Sequence, residues 1–289
     1  FNIEQMDLIL KDNMPNIDIG THCSNPYSCD FESHCWEHIP YPSVFNLYWM
    51  NGYKKFEMYY KGLITYEDIP LDFALNTTQK LQVETFKLNE PFVDKSIIKD
   101  FIETVKYPIN FFDFETFQNA IPRFDSQRPY MQIPFQYSLH ILHEDGTLEH
   151  KEFLGDENSD PRDALINQML NDISPTGSIM AYNQAFEITR IKELANYNIE
   201  RKDELLALVD RFVDLIVPFR GRGYYHPDFN GSFSIKSVLP AMFPNNDELN
   251  YKKLGSIQNG GDAMDTFANL HLLKDKSKRD QIRKDLLAY

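Results

Sequence analysis

The order of apolar runs and turns after Pro108 limits the possible folds of this chain more than any other feature. Ile109–Glu115 and Pro134–Leu142 are predicted strands, and an Asp-Gly turn at Glu144–Thr147 leads into a third strand, Leu148–Leu154. Downstream we predict helices at 163–173, 184–196 and 204–208, strands at 178–182 and 212–217, and a mostly helical remainder from Ser232. The order βββαβαβα indicates an α/β domain with a mixed sheet flanked by helices.

Three strands joined by hairpins and followed by alternating helices and strands is the order of the ribonuclease H-like fold. We therefore expect residues 107–289 to form a domain of this kind. Residues 43–106 carry apolar positions at helical spacing, with a capping-box pattern at Thr65–Asp68 and an amphipathic helix over Phe92–Val105. Residues 1–42 are rich in Cys, His, Pro and Asn, which predicts irregular structure with short helices.

Composition excludes some classes of protein. The 289 residues are 42% hydrophobic, enough for a core, and we find no apolar run of membrane-spanning length. The net charge of −14 argues against a protein that coats nucleic acid, although a metal-dependent nuclease can carry an acidic site. The chain opens at Phe1 without Met, so we expect part of a longer protein, and three clustered cysteines favour a cytoplasmic location.

Two carboxylates lie two positions apart on the first predicted strand of the sheet. Side chains at positions i and i+2 of a strand share a face, so Asp113 and Glu115 are held side by side among large apolar neighbours. Their mutual repulsion and partial burial are costly unless a cation is bound, and Mg²⁺ and Mn²⁺ prefer carboxylate oxygen. The alternative is an ordinary strand with one exposed polar face.

Two further carboxylates follow later strands. Asn183 has the character of a helix N-cap, which places Glu187 in the first turn of the next helix, facing the strand ends. A glutamate there is also common for electrostatic reasons alone. Asp214, within an apolar stretch, is either another metal-site carboxylate with a supporting role or a turn residue.

These motifs resemble those of the DEDD exonucleases, which carry an Asp-x-Glu-Thr strand and an Asn-x-x-Phe-Asp motif. Phe112–Thr116 matches the first and Asn183–Glu187 the second, with Tyr182 where the family has His and Glu187 where it has Asp. The resemblance implies a 3′–5′ exonuclease with a two-metal Mg²⁺ or Mn²⁺ site, bridged by Asp113 and completed by Glu115 and Glu187.

The end of the chain bears on the last ligand. One DEDD subgroup ends its site with a Tyr followed four positions later by Asp; Tyr289 matches that Tyr and would orient the attacking water, while the Asp would lie beyond the sequence given. Asp262 and Asp265 are possible substitutes, although a capped surface helix explains both.

Residues 112–267 more closely resemble an uncharacterised bacterial domain family found attached to RecB-like nucleases. The residues that carry this resemblance are 121–123, 128–130, 132–138, 182–187, 218–220 and 231–240. It implies an upstream RecB-like nuclease domain in the same protein. Arg123, Arg128 and Lys236 are candidates for contact with substrate phosphate, or else solvated surface charges.

Cys23, Cys29 and Cys35 lie close together in the sequence, with histidines between and after them. They are similar to the C-terminal cysteine group of RecB-like iron–sulfur nucleases, which implies a 4Fe–4S cluster with a fourth cysteine upstream. Zn²⁺ could instead take the three thiolates and one imidazole. The candidate imidazoles are His22, His34 and His38. The simplest alternative is three free thiols on a packed loop.

Three functions remain open from sequence alone. The first is a metal-dependent nuclease acting on single-stranded 3′ ends of DNA or RNA. The second is an inactive ribonuclease H-like domain that binds nucleic acid or a partner protein, which the acidic charge and Glu187 favour. The third is a structural scaffold in which the cysteines staple the N-terminal segment.

Overall fold

The computed structural model describes residues 2–11, 16–246, 249, 257 and 259–289. Phe1 and part of the predicted helical remainder after Ser232 lie outside the described residues. Among the helices of the described part, none is long and apolar enough to span a membrane. The chain forms two units, Phe1–Pro91 with His226–Ser232 and Phe92–Tyr225 with Phe233–Tyr289, and each is treated by itself.

The first unit is built from short helices around two apolar clusters. Its helices are α1 (Asn2–Lys11), α2 (Glu32–Cys35), α3 (Gly52–Tyr60) and α4 (Thr77–Leu88), with 3-10 turns at Thr21–Cys23, Val44–Asn46 and Pro227–Phe229. One cluster contains Val44, Leu47 and Met58, and the other contains Ile19 and Phe56. The short helices predicted for residues 1–42 are present in the described part of that segment.

The helix predicted to begin at Thr65–Asp68 is wrong. The Asp68 carboxylate accepts the N–H groups of Ile64 and Thr65 at 3.0 and 2.7 Å, but the chain continues in turns, because Pro70 follows where a helix interior would need an N–H donor. The helix begins instead at α4, where Asn76 and Gln79 cap each other at 2.9 and 3.0 Å. Our sequence analysis did not predict α4.

The second unit carries the sheet. Its strands are β1 (Phe92–Val93), β2 (Ile109–Phe117), β3 (Ile133–Leu142), β4 (Leu148–Leu154), β5 (Ser178–Ala181), β6 (Phe212–Asp214) and β7 (Tyr224–Tyr225). Its helices are α5 (Lys95–Thr104), α6 (Arg162–Asp172), α7 (Ala185–Tyr197), α8 (Lys202–Val209), α9 (Val217–Arg220), α10 (Ile235–Met242), α11 (Gly260–Leu270) and α12 (Lys276–Ala288). The strand predicted to reach Val217 ends at Asp214, because Pro218 opens α9.

Five strands form a mixed sheet in the order β4-β3-β2-β5-β6. The pairs β2/β3 and β3/β4 are antiparallel, whereas β2/β5 and β5/β6 are parallel. Strands β1 and β7 form a separate antiparallel pair. The predicted α/β class, with a mixed sheet flanked by helices, is confirmed at this level.

The core explains why β2 is fixed in register. Phe112 and Phe114, each 3% exposed, pack with Tyr137 and with apolar residues of α6, α7 and α8. A second cluster lies around Phe117 and Phe135. The ring of Phe135 stacks on that of Phe267, with 3.9 Å between the ring centres. A shift of β2 by one residue would turn Phe112 and Phe114 out of the first cluster and turn Asp113 and Glu115 into it. Packing therefore fixes the face on which the two carboxylates lie.

Two glycines with positive φ differ in how much space surrounds them. Gly177 has φ +83°, and a Cβ there would lie 2.0 Å from the carbonyl oxygen of Pro108. Gly146 has φ +87°, and a Cβ there would meet no other part of the chain within 4 Å. We expect Gly146→Ala to cost about 1–2 kcal/mol from the left-handed backbone alone. Gly177→Ala should cost about 3 kcal/mol or more, since the backbone must also move. Urea unfolding of both variants checks this, and equal losses would contradict it.

Candidate functional site

The two carboxylates of β2 lie where the strand pattern places them. Asp113 is exposed and Glu115 is half-buried, and the residues on either side of each, Phe112, Phe114 and Thr116, are buried on the opposite face. The ring packing described above holds this strand, so the carboxylates cannot turn away from each other at low cost. The predicted common face of Asp113 and Glu115 agrees with this arrangement.

Glu187 comes to the same place from a different element. It lies in the first turn of α7, which follows β5, the parallel neighbour of β2, and it is 3% exposed. Its carboxyl group donates a hydrogen bond to the carboxylate of Asp113. Apart from that shared proton, no described group donates to the buried Oε2 atom of Glu187. The structure therefore places Asp113 beside both Glu115 and Glu187.

The pKa values of all three carboxyl groups are raised. Burial, followed by the charges of Asp113 and Asp214, raises the pKa of Glu187 to about 8. Burial and then Asp113 raise the pKa of Glu115 to about 7. Desolvation also raises the pKa of Asp113, although its side chain is open to solvent, because protein surrounds it on several sides. The cluster thus resists holding three negative charges without a counter-ion.

Asp214 positions Glu187. It ends β6, and its Oδ1 accepts the N–H groups of Asn183 at 2.7 Å and Ile216 at 3.1 Å, while its Oδ2 accepts that of Gln184 at 3.2 Å. Asp214 therefore satisfies donors at the N-terminus of α7 from a neighbouring strand. This geometry favours the supporting role predicted for it over direct metal ligation.

The predicted N-cap at Asn183 is wrong. Asn183 has φ 65°, and the N-cap residue of α7 is Gln184, whose side chain makes no capping hydrogen bond. Asparagine tolerates this left-handed conformation better than most residues, so it serves the tight turn out of β5. Capping by a carboxylate distant in sequence leaves no local signal, and the sequence analysis therefore chose the nearest suitable side chain.

Two more elements border Glu115. The positive charge of Lys236, in the first turn of α10, acts on Glu115 and opposes the rise of its pKa. Gly260 opens α11, and a Cβ there would lie 3.4 Å from Glu115 Oε2, so the helix approaches the carboxylate closely. Of the predicted phosphate contacts, Lys236 is the one that the structure relates to the carboxylates.

Asp262 and Asp265 lie on α11, where a capped surface helix was the alternative to a metal-binding role. Asn259 Oδ1 accepts the N–H of Asp262 at 3.0 Å, and Asn259 Nδ2 donates to the Asp262 carboxylate at 2.8 Å. Asp265 is exposed on the same helix. These contacts account for Asp262 as part of the N-terminal cap of α11.

Other predicted site residues lie elsewhere in the second unit. The guanidinium of Arg123 donates to the carbonyl oxygens of Glu157 at 2.8 Å and Ala268 at 3.3 Å, which ties its loop to the fold. Arg128 is exposed. Tyr289 follows α12 and packs, half-buried, against the cluster around Phe117. The contacts of Arg123 favour a structural role, and the roles of Arg128 and Tyr289 stay predictions.

A polar strip extends this face of the sheet and was missed from sequence. Asp113 pairs with Ser138 across β2 and β3, and Ser138 pairs with Glu152 on β4. The next pair along is His140 and His150, whose exposed rings stack at 4.2 Å. Alternation of polar residues along β3 was the available signal, since such residues mark the face turned away from the core.

The donor set fits a divalent cation in its chemistry. In the described part of the chain, no group of three His, Cys, Asp or Glu side chains is already arranged around an ion position. The carboxyl groups of Asp113 and Glu187 instead form a hydrogen bond with each other. The buried, unpartnered Glu187 Oε2 and the raised pKa values are what carboxylates show when a cation's charge is not present.

The cysteine segment is a separate matter, within the first unit. Cys23 is buried, Cys35 is half-buried and Cys29 is exposed, and all three are free thiols. The Sγ atom of Cys23 accepts the N–H of Gly20 at 3.5 Å. As they stand, these thiols surround no ion position among the residues described. A metal at this segment therefore stays a prediction.

Part of the second unit is similar to known sequences. Residues 110–234 match the family described as "Domain of unknown function (DUF2779)". An uncharacterised protein of Ureaplasma parvum is 28% identical over 218 residues, which cover 68% of this chain and 31% of that protein. An uncharacterised protein of Mycoplasma genitalium is 26% identical over 234 residues, covering 74% of this chain and 35% of that protein. No solved structure matches the chain.

The matched segment begins in β2 and ends just before α10, so it contains Asp113, Glu115, Glu187 and Asp214. The chain spans about a third of the length of the curated relatives that it matches. The similarity therefore covers the carboxylate site but carries no activity with it.

The raised pKa of Glu187 predicts a pH-dependent stability. A carboxyl group with a higher pKa in the folded chain contributes stability that is full below about pH 4.5 and is lost as the pH rises through about 8. Glu187→Gln keeps the donor to Asp113 without this loss. In EDTA, the variant should gain on the order of a few kcal/mol relative to the unchanged chain between pH 5 and pH 8.

Urea unfolding at both pH values measures this gain. Glu144→Gln, a substitution at an exposed hairpin position, is the control and should follow the unchanged chain. Superposition of the Glu187→Gln profile on that of the unchanged chain would show that Glu187 is not held protonated.

Proposed function

We propose that this chain contains a metal-dependent nuclease module of the DEDD type, built on a ribonuclease H-like sheet and acting on 3′ ends of single-stranded DNA or RNA. Two features support it. The strand and helix order of the second unit is the order expected for that fold, and the two DEDD-like motifs bring the carboxyl group of Asp113 on β2 into contact with that of Glu187 on α7.

The convergence of Asp113 and Glu187 is the observation that carries the proposal. The two residues are distant in sequence, yet their carboxyl groups share a hydrogen bond, with Glu115 on the same strand face. Packing holds these carboxyl groups together at a cost in desolvation, which is a poor solution for a purely structural site. A bound divalent cation removes that cost and gives the arrangement a use.

Each residue of the site has a role in this proposal. Asp113, Glu115 and Glu187 would hold a divalent cation, and bound Mg²⁺ or Mn²⁺ supplies a polarised phosphodiester and a more acidic water. Asp113, which is open to solvent, would face the nucleic acid. Lys236 would offer its ammonium group to a phosphate oxygen beside Glu115, and Asp214 keeps Glu187 in place through the N–H groups of Asn183 and Gln184 that it accepts.

A second candidate is a non-catalytic domain that binds nucleic acid or a partner protein. Its support is the longer Glu187 side chain, which in the described geometry bonds to Asp113 instead of pointing at a shared ion position. Both candidates keep the fold, and they differ in whether the carboxylates bind a cation.

The cysteine segment adds a further proposal. The thiols of Cys23, Cys29 and Cys35 would bind a 4Fe–4S cluster or Zn²⁺ in a longer protein with a RecB-like nuclease upstream, which would supply the fourth cysteine. The free state of all three thiols is compatible with this. It is independent of the carboxylate site.

Calorimetry with Mn²⁺ tests the nuclease proposal, together with hydrolysis of 5′-labelled single-stranded DNA and RNA. We expect Mn²⁺ binding and shortening from the 3′ end. Asp113→Asn should abolish the calorimetric binding and lower hydrolysis by about 100-fold or more, since even indirect metal contacts are worth about 10–100-fold. Asp203→Asn, an equal charge change on exposed α8, is the control and should behave as the unchanged chain.

Mn²⁺ binding without hydrolysis of either strand would favour the second candidate. Absence of Mn²⁺ binding, or equal binding by Asp113→Asn, would remove the nuclease proposal.

A further inference from the structure

Trp49, in the first unit, is unusually open to solvent. The chain has two tryptophans, and Trp49 is 87% exposed. Trp36 is half-buried, with its ring 4.6 Å from that of Phe45 and 5.8 Å from that of Phe56. Exposing so large an apolar ring gives up the burial free energy that a packed ring gains. The position of Trp49 therefore needs another reason.

The backbone turns the Trp49 ring outward. Trp49 has φ 49°, a left-handed conformation that is strained for a bulky residue. Its neighbours enforce it: Tyr48 N–H donates to Gln82 Oε1 at 3.0 Å, Gln79 Nε2 donates to the Tyr48 carbonyl at 2.8 Å, and Met50 is 8% exposed. Strain that the surrounding contacts over-determine is typical of residues held for binding.

A cleft opens beside this ring. Its volume is about 360 Å³, and its lining includes Trp49, Met50 and Leu75. The ring of Tyr48 stacks on that of Trp49, with 5.9 Å between the ring centres and 27° between the ring planes. Apolar and polar side chains share the lining, since Asn51, Asn76 and Gln79 also border the cleft, and its volume is enough for one small planar group.

A positively charged side chain lines the cleft. Lys54 lines it, with Nζ 3.3 Å from the Ala74 carbonyl oxygen and 5.6 Å from the centre of the Phe73 ring. Both contacts place the ammonium group without neutralising its charge. A planar apolar wall and a positive charge side by side match a ligand with an aromatic ring and an anionic group a few bonds away.

We infer that this cleft is a stacking subsite for one nucleotide of a single-stranded nucleic acid. The base would stack on Trp49, and the adjoining phosphate would pair with Lys54. The choice of a nucleic acid over another aromatic anion rests on the proposed function. A proline-rich peptide, which also docks on exposed aromatic rings, is the competing occupant.

Fluorescence tests the inference directly. In the Trp36→Phe chain, Trp49 is the remaining tryptophan, so its emission reports on the cleft. Titration with a dT oligonucleotide and the matching U oligonucleotide, in EDTA to prevent hydrolysis, should quench this emission saturably. Quenching by a proline-rich peptide but by neither oligonucleotide would overturn the inference, as would no quenching at all.

Substitutions show whether the contacts matter. Trp49→Asn keeps a residue that tolerates the left-handed backbone, so it should fold, and circular dichroism checks this. By anisotropy of a labelled oligonucleotide, Trp49→Asn should bind about 5- to 150-fold more weakly, the loss of one stacked base. Lys54→Ala should weaken binding and reduce its dependence on salt concentration.

Matched controls come from the same unit. Tyr27→Ala removes another exposed aromatic ring, 84% exposed, and Lys61→Ala removes an exposed lysine that pairs with Glu57 at 2.6 Å. Both should bind like the unchanged chain. Equal affinity of Trp49→Asn and the unchanged chain would also overturn the inference.

Asp113→Asn separates this inference from the nuclease proposal. If the stacking subsite is correct and the nuclease proposal is wrong, the unchanged chain quenches with oligonucleotide, and neither it nor Asp113→Asn hydrolyses the strand. If the nuclease proposal is correct and the subsite is wrong, Trp49→Asn binds and hydrolyses like the unchanged chain. The two proposals therefore fail in different assays.

Discussion

The packing of Phe112 and Phe114 on one face of β2 is the interaction on which the carboxylate site depends. On the other face, the carboxyl groups of Asp113 and Glu187 share a proton, and desolvation by the surrounding protein raises the pKa of each above its usual value. Such a pair costs free energy, and the surrounding packing offsets it. Phe112 and Phe114 bury their rings on the opposite face of β2 and hold the strand in register. The apolar core thus maintains a polar site that would not form by itself.

Sheet topology explains how Glu187 reaches β2. Strand β5 runs parallel to β2 and pairs with Ile109–Phe111, so the helix that follows β5 begins beside Asp113, in the middle of β2. Strand β6 runs parallel to β5 and ends in Asp214, which accepts two N–H groups of the turn between β5 and α7. Each of three adjacent strands therefore contributes one part: the carboxylate pair, the helix that carries Glu187, or the residue that fixes that helix.

The sequence predicts the elements around the site well and their fine connections poorly. The apolar run of β2 and the Asp-Gly turn after β3 are local patterns with direct physical causes, so both were placed correctly. The capping of α7 by Asp214 depends on a contact across two strands, and no local pattern reports it. Thr65 shows the opposite error, since its capping pattern is real but Pro70 prevents the helix. The convergence of Asp113 and Glu187 needed the strand order as well as the motifs.

The charge of the chain limits how it could hold nucleic acid. A protein with net charge −14 gains little from the long-range attraction that brings basic proteins to a phosphate backbone. In the proposed function, binding must then come from short-range contacts, which act despite an unfavourable field. A cation held by Asp113, Glu115 and Glu187 reverses the sign of the field where a phosphate would approach. An aromatic ring such as that of Trp49 attracts a base without any net charge. If the proposed function is correct, contacts of these two kinds would supply the affinity that the net charge of the chain does not.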